Sequence, residues 1–310
     1  MARRHGARGC RDERSLPACV RQRSLRFVEE AEGILDVGDA PLGEAAVHDL
    51  RVLCKRLRAV WQLLTPALGR DRTRQPEQAL RAAARSLASH REAHVARRTI
   101  ERLARRHAHD DEERAALRAL APLVAQRWPE AQAEPSLAAP LRDAFAAQRT
   151  ALTSLPADLE EADLAAGLLR SYVRAREQGR RAALLREAAA WHRCRRWAKY
   201  ELYQLELLAP SHPDGRRAQR LSRLGETLGR FNDLCTLRSV AEQGRTQLLH
   251  RGAAVSVVRI LAREERSLRA RMERRFARLY AQGERERARR IRRLLARNRA
   301  GTGPGGQGRG

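Results

Sequence analysis

Long apolar runs are absent from this sequence of 310 residues, and arginine interrupts each hydrophobic stretch well before the ~20 residues that a membrane span requires. The basic N-terminus also lacks the apolar region of a secretory signal. The five cysteines, at positions 10, 19, 54, 194 and 235, form neither a disulfide framework nor a zinc-binding spacing. These absences predict a cytoplasmic protein with reduced thiols, no membrane span and no zinc site built on cysteines. We also expect no cofactor, no metal and no membrane partner.

Acidic residues are far outnumbered by basic residues, and aromatic residues are scarce. The chain has 63 Lys+Arg against 37 Asp+Glu, which gives a formal net charge of +26. A surplus of this size indicates a polyanionic partner, such as inorganic polyphosphate, nucleic acid or an anionic membrane surface, although an arginine-rich composition with a generally basic surface is the alternative. Aromatic residues make up only 4% of the chain. This disfavours single-stranded nucleic acid, because its bases stack on aromatic side chains.

Alternating strand patterns are missing as well, and apolar residues recur with the helical period. The pattern predicts an all-α fold of antiparallel helices joined by short loops. The predicted helices cover residues 16–36, 44–65, 76–107, 111–128, 137–154, 158–179, 183–209, 215–250, 254–281 and 284–298. Residues 1–15 and the glycine-rich residues 301–310 have the composition of disordered tails.

Lysine is rare in this chain. Its two lysines are Lys55 and Lys199, and all the other Lys+Arg residues are arginines. Each lysine follows a histidine by seven residues, and each histidine, His48 or His192, is followed by an arginine at the third position. The two segments therefore have the same pattern of basic residues.

An acidic residue follows each of these segments at a similar distance. Glu92 lies 44 residues after the first histidine, and Asp233 lies 41 residues after the second. The matched order predicts a duplicated helical bundle, with one repeat near 16–130 and the other near 136–300. We expect the two acids to accept hydrogen bonds from the basic side chains and to fix their rotamers.

On a helical wheel the basic residues of each segment occupy one face and the leucines occupy the opposite face. Like charges three and four residues apart destabilise a helix, so two matched basic faces favour an anionic ligand over a solvated surface. Glu201 falls on the apolar side of the second helix, where a buried pair with an arginine would explain it. The predicted faces contain His48, Arg51, Lys55 and Arg58 in the first helix and His192, Arg195, Arg196, Lys199 and Tyr203 in the second.

These segments resemble the CHAD family, the conserved-histidine α-helical domain. Residues 47–58 follow the motif V-H-D-x-R-V-x-x-[RK]-R-L-R at every defined position. The second family motif, H-x-x-R-K-x-x-K-x-x-R-Y, is matched from His192 to Tyr203 except that Arg196 replaces Lys and Leu202 replaces Arg. Residues 228–233 match L-G-x-x-N-D, and residues 91–95 are similar to R-D-x-D-V. The resemblance covers about residues 16–300.

The resemblance implies two four-helix bundles, related by a pseudo-twofold axis, that form one domain with a central basic groove. It also implies a stand-alone, non-enzymatic member that binds inorganic polyphosphate and associates with polyphosphate granules. The predicted binding residues are His48, Arg51, Lys55, Arg56, Arg58, His192, Arg195, Arg196, Lys199 and Tyr203. The predicted supporting residues are Arg81, Arg85, Arg91, Glu92, Arg216, Arg220, Arg223, Asn232 and Asp233.

Two other functions remain open at the level of the sequence. An enzyme acting on polyphosphate or phosphoesters would use His48 or His192 as its base, but no carboxylate cluster is evident for magnesium. A nucleic-acid-binding protein would use the same basic faces, with nucleic acid otherwise expected only as a weaker competitor. His90 and His94 share a helix face without an evident third metal ligand, and His107 is predicted to face solvent.

Overall fold

The computed structural model describes residues 15–36, 42–87, 89–107, 109–128, 138–208 and 215–300, and it describes only the backbone of residues 89–91 and 297–300. Helices and turns make up these segments, with no strand among them, so the predicted all-α class is confirmed. The predicted tails fall almost entirely outside the described residues. The helices are α1 (Leu16–Leu35), α2 (Glu44–Ser86), α3 (Ser89–Arg106), α4 (Asp111–Arg118), α5 (Ala121–Arg127), α6 (Ala138–Thr153), α7 (Glu161–Leu185), α8 (Ala188–Leu208), α9 (Gly215–Gln243), α10 (Arg245–His250), α11 (Ala254–Leu279) and α12 (Glu284–Ala300).

Three predicted helices are interrupted. The helix predicted over 76–107 ends at Ser86 and resumes at Ser89, and the one predicted over 215–250 is divided next to Gly244. The helix predicted over 111–128 is divided between α4 and α5, because Pro122 lacks an amide hydrogen and stands in the first turn of α5.

Helix α2 reverses its direction at Gly69. This glycine has φ 78° and ψ 166°, a conformation that side-chain-bearing residues rarely adopt. Arg51 Nη1 lies 3.1 Å from the carbonyl oxygen of Ala84, whereas a straight helix would separate these residues by about 50 Å. The helix is therefore a hairpin of two arms, the first arm (residues 44–68) and the second arm (residues 70–86).

The apolar residues of the two halves form one contiguous core. Helix α1 packs against α6, α2 packs against α7 and α8, α3 packs against α9, and α4 packs against α11. The leucines of the predicted apolar face of the first arm, Leu50, Leu53, Leu57 and Leu64, are all buried. Each stabilises the fold by about 1.5–3 kcal/mol. A division into two bundles related by a pseudo-twofold axis stays a prediction.

Glu201 of α8 lies inside this core and is fully buried. Its Oε1 accepts hydrogen bonds from Arg217 Nε at 2.7 Å and from Arg287 Nη2 at 3.2 Å, and its Oε2 accepts one from the Tyr280 hydroxyl at 3.0 Å. The predicted pairing of Glu201 with a buried arginine is therefore confirmed. This cluster joins α8, α9 and α12 through charged groups rather than through apolar contacts.

The prediction that His107 faces solvent is wrong. Its imidazole is 9% exposed, because α4 and α11 pack over the end of α3. Nδ1 lies 2.7 Å from Glu113 Oε2, and Nε2 lies 3.4 Å from Glu264 Oε1.

None of the helices in the described segments is long and apolar enough to cross a membrane.

Candidate anion-binding cleft

A cleft of about 510 Å³ lies between α2, α3, α8, α9 and the end of α5. Seven arginine and lysine side chains line it, against two carboxylates, so its charge is strongly positive. The lining residues are Arg51, Lys55, Arg58, Glu92, Val95, Ala96, Arg127, Trp128, His192, Arg195, Arg196, Lys199, Tyr200, Tyr203, Asn232, Asp233, Thr236, Ser239, Val240 and Gln243.

The first arm of α2 supplies Arg51, Lys55 and Arg58 to the cleft. Arg51 Nη1 donates hydrogen bonds to the carbonyl oxygens of Ala84 at 3.1 Å and Leu87 at 2.7 Å, at the end of the second arm. These two bonds hold the guanidinium in place and satisfy carbonyl groups that the helix end leaves without partners.

Arg58 is held in the wall of the cleft by contacts of its own. Its guanidinium is 5.7 Å from the centre of the Tyr200 ring, and its Nη2 is 3.7 Å from Glu77 Oε1. The Tyr200 hydroxyl is buried and has no hydrogen-bond partner among the described residues. Burial raises the pKa of this hydroxyl, so it stays protonated and can donate a hydrogen bond. An acceptor oxygen from a ligand would satisfy this donor.

Helix α8 supplies His192, Arg195, Arg196 and Lys199. Arg195 Nε donates to the carbonyl oxygen of Gly225 on α9 at 3.4 Å, and His192 Nδ1 lies 2.9 Å from Asn232 Oδ1. The histidine is therefore positioned by the predicted L-G-x-x-N-D segment.

Gly225 also makes room for Lys199. A Cβ atom at position 225 would lie 2.9 Å from Lys199 Cε, so a larger residue there would displace the end of the lysine side chain. The glycine therefore leaves room for the lysine stem to cross α9 in its observed position. The Lys199 ammonium lies 5.7 Å from the centre of the Tyr203 ring.

The arginine–carbonyl contacts of the two halves are equivalent. Ala84, the acceptor for Arg51, stands eight residues before Glu92, and Gly225, the acceptor for Arg195, stands eight residues before Asp233. The two segments with matched motifs therefore also share a matching hydrogen bond.

The cations of the cleft lie in a partly dry environment. Burial, assisted by the neighbouring Arg195 guanidinium, lowers the pKa of Lys199 below its ordinary value. Burial also lowers the pKa of Arg196, and the nearby charge of Arg58 contributes. A bound anion would oppose both effects, because it stabilises the protonated forms. The cleft therefore favours the binding of a negatively charged ligand.

The structure brings together most of the predicted residues. Eight of the predicted binding residues and three of the predicted supporting residues line the cleft: Arg51, Lys55, Arg58, His192, Arg195, Arg196, Lys199 and Tyr203, with Glu92, Asn232 and Asp233.

Two predicted binding residues do not line the cleft. His48 shares the face of Lys55 but lies about 10 Å earlier along α2, where its side chain is exposed. Arg56 points to a different side of the helix, and its guanidinium lies 5.3 Å from the centre of the Phe27 ring. Leu202, which stands where the family pattern has an arginine, is buried in the core.

Most of the predicted supporting arginines also lie elsewhere. Arg81 is bound to Glu77, with Nη2 2.6 Å from Oε1. The side chain of Arg91 lies outside the described residues. The remaining four are exposed and do not line the cleft: Arg85, Arg216, Arg220 and Arg223.

Sequence reasoning missed the contribution of α5, which brings Arg127 and Trp128 to the cleft. Trp128 Nε1 donates to Glu92 Oε2 at 3.0 Å. Glu92 thus accepts a hydrogen bond from an indole, whereas the sequence predicts that it accepts one from a basic side chain. No motif or period in the sequence singles out Trp128.

A metal site at His90 and His94 gains no support from the structure. His94 Nδ1 lies 3.3 Å from Glu44 Oε1, and the side chain of His90 is outside the described residues. Within the described part of the chain, no three His, Cys, Asp or Glu side chains are grouped to hold a metal ion.

Comparison with curated proteins gives no match. Among solved structures, the chain is similar to the crystal structure of the CHAD domain from the plant Ricinus communis, with 20% sequence identity and a TM-score of 0.48, over 84% of this chain and 91% of that chain. The sequence model of the CHAD domain matches residues 26–242. Because this match extends over more than half of its length, the chain belongs to the CHAD domain family.

Proposed function

We propose that this protein binds inorganic polyphosphate in the cleft and does not change it chemically. The observation that carries the proposal is the convergence of Arg51 and Lys55 with Arg195 and Lys199 in a single cleft. Membership of the CHAD family is compatible with this ligand. We further propose that the protein associates with polyphosphate granules in the cytoplasm.

The binding mechanism is electrostatic. Each cation that approaches a phosphate displaces a counterion condensed on the polyanion, and this release favours binding. The carbonyl groups of Ala84, Leu87 and Gly225 already hold Arg51 and Arg195 in position. Less side-chain entropy is therefore lost when the ligand binds.

The shape of the cleft favours polyphosphate over duplex DNA. An unbranched phosphate chain can enter a cleft of about 510 Å³, whereas a duplex carries its phosphates on the outside of a broad rod. Nucleic acid is therefore proposed as the weaker competitor, held by exposed arginines rather than by the cleft.

A competition titration tests this proposal directly. Labelled long-chain polyphosphate is displaced at physiological salt by unlabelled polyphosphate, duplex DNA or RNA at equal phosphate concentrations. We expect polyphosphate to compete at least tenfold better, which is about 1.4 kcal/mol. Incubation with polyphosphate and magnesium should release no phosphate above the buffer control. Equal or better competition by DNA, or phosphate release that His192→Ala abolishes, would overturn the proposal.

A further inference from the structure

The lining of the cleft has two chemically different parts. Apart from Arg127, its arginine and lysine side chains come from α2 and α8. The side chains from α3, α9 and the end of α5 are mainly aromatic, apolar, neutral polar or acidic. They are Glu92, Val95, Ala96, Trp128, Asn232, Asp233, Thr236, Ser239, Val240 and Gln243, and we call them the mixed wall.

A phosphate chain does not explain the mixed wall. Polyphosphate has only acceptor oxygens and negative charge, so Glu92 and Asp233 repel it. The same carboxylates accept hydrogen bonds from hydroxyl and amino groups, as carboxylates do from ribose in dinucleotide sites. Thr236, Ser239 and Gln243 add further groups suited to neutral polar ligands. This wall therefore fits a ligand that carries donors as well as phosphates.

Trp128 gives the mixed wall an aromatic surface in a fixed position. Its ring nitrogen donates to Glu92 at 3.0 Å, which restrains the indole, and the side chain is only half-buried. The Arg127 guanidinium lies over the indole ring, 5.8 Å from its centre. A restrained, half-buried indole with an arginine over its ring combines the aromatic and cationic contacts that nucleobases use for stacking.

The dimensions agree with a ligand of limited size. A volume of about 510 Å³ lies within the ~300–1,000 Å³ that is typical of small-molecule sites. A nucleoside joined to a short phosphate chain combines the two chemistries that the two parts of the lining provide.

We propose that the cleft binds nucleoside polyphosphates, with the phosphates on the cations of α2 and α8 and the base against Trp128. This inference rests on the proposed function, because the same cations hold the phosphates in both cases. The ribose hydroxyls or the amino group of the base would donate to the carboxylates of the mixed wall.

Isothermal titration calorimetry of the full chain with ATP and with tripolyphosphate, both without divalent metal, distinguishes the contribution of the mixed wall to affinity from that of the cations. The two ligands carry the same number of phosphates, so the nucleoside is the main difference. We expect ATP to bind roughly tenfold more tightly, a gain that base stacking on an aromatic side chain can supply. Trp128→Ala should remove this gain and leave the tripolyphosphate affinity within about twofold, and Trp128→Phe should retain most of it.

The outcomes distinguish this inference from the proposed function. ATP binding no tighter than tripolyphosphate, or an equal loss of both ligands in Trp128→Ala, overturns the nucleotide inference. Long-chain polyphosphate titrated in parallel reports on the proposed function, which fails if neither it nor tripolyphosphate binds. A thermal melt of each variant shows whether the fold is intact, and Trp128→Phe supplies the comparison if Trp128→Ala does not fold.

Discussion

The two halves of the chain support equivalent arginines in different ways. Arg51 donates to carbonyl groups at a helix end, because the second arm of α2 stops at Ser86 and α3 begins anew at Ser89. Arg195 donates to Gly225 within α9, which continues without a break to Gln243. In both halves the arginine donates to a main-chain carbonyl group. This carbonyl group stands at the end of a helix in the first half and within an unbroken helix in the second.

The two halves also differ in the core directly behind the cations. Two residues after Lys55 the first half has Leu57, whereas two residues after Lys199 the second half has Glu201. Both side chains are fully buried. The equivalent position therefore holds an apolar leucine in the first half and, in the second half, a carboxylate bound to two arginines. Binding and stability can therefore be tested separately in the two halves.

The largest expected effect comes from removing both lysines. Lys55→Ala combined with Lys199→Ala should weaken polyphosphate binding at least a hundredfold, because each charge-assisted hydrogen bond contributes about 1.5–3 kcal/mol. Each single variant should lose roughly tenfold if the halves contribute equally. Fluorescence anisotropy with labelled polyphosphate measures these losses. A single variant that accounts for the whole loss would show that only one half binds the ligand.

The matched control for the lysine pair removes two charges from α12, away from the cleft. Arg289 and Arg290 are exposed there, and their replacement by alanine should change affinity by less than about threefold. If this control weakens binding as much as the lysine pair does, the ligand is held by a diffuse basic surface. The slope of log affinity against log salt should flatten in the lysine variant, because fewer counterions are released.

The next effect concerns the ionic cluster of the second half. Glu201→Leu copies the first half but leaves Arg217 and Arg287 buried without their carboxylate, which should destabilise the fold by about 3–5 kcal/mol. Urea denaturation measures this change. Adding Arg217→Met and Arg287→Met should restore most of the stability, because an apolar cluster of similar volume replaces the ions. A single variant as stable as the unaltered protein would contradict the role given to the cluster.

The smallest effect tests the glycine beneath Lys199. Gly225→Ala should lower polyphosphate affinity by roughly threefold to tenfold, since the new methyl group displaces the lysine stem. Helix stability should hold or rise, because alanine is favoured over glycine inside a helix by about 0.5–1 kcal/mol. Ala84→Gly at the equivalent position of the first half is the matched control and should leave affinity nearly unchanged. Equal effects at both positions would remove the distinction between the halves.

Most of the cationic part of the cleft follows from the sequence, because its residues repeat with the helical period and in two copies. Arg51, Lys55, Arg195 and Lys199 are predicted in this way. The helical wheel also places the leucines of the first arm of α2 on the apolar face, and the structure confirms that they are buried. Local periodicity is sufficient for these features, since each depends on a single helix face.

Features that depend on distant segments could not be predicted in this way. His107 is buried because α11, more than a hundred residues away, supplies Glu264. Trp128 reaches the cleft because α5 packs against α9, and neither its position nor its hydrogen bond to Glu92 leaves a periodic signal. The sequence predicts a break between the helices over 44–65 and 76–107, whereas in the structure Gly69 is the one non-helical residue of α2. The reversal at Gly69 rests on its backbone conformation and on the contacts of the two arms.

The shared core also constrains how the chain folds during its synthesis. The ribosome releases α1 and α2 first, yet their apolar faces pack against α6, α7 and α8, which emerge later. These contacts join residues far apart in the chain, so their formation is slow. The nascent first half therefore carries uncovered hydrophobic surface until α8 has been synthesised, and it is most prone to aggregation during that interval.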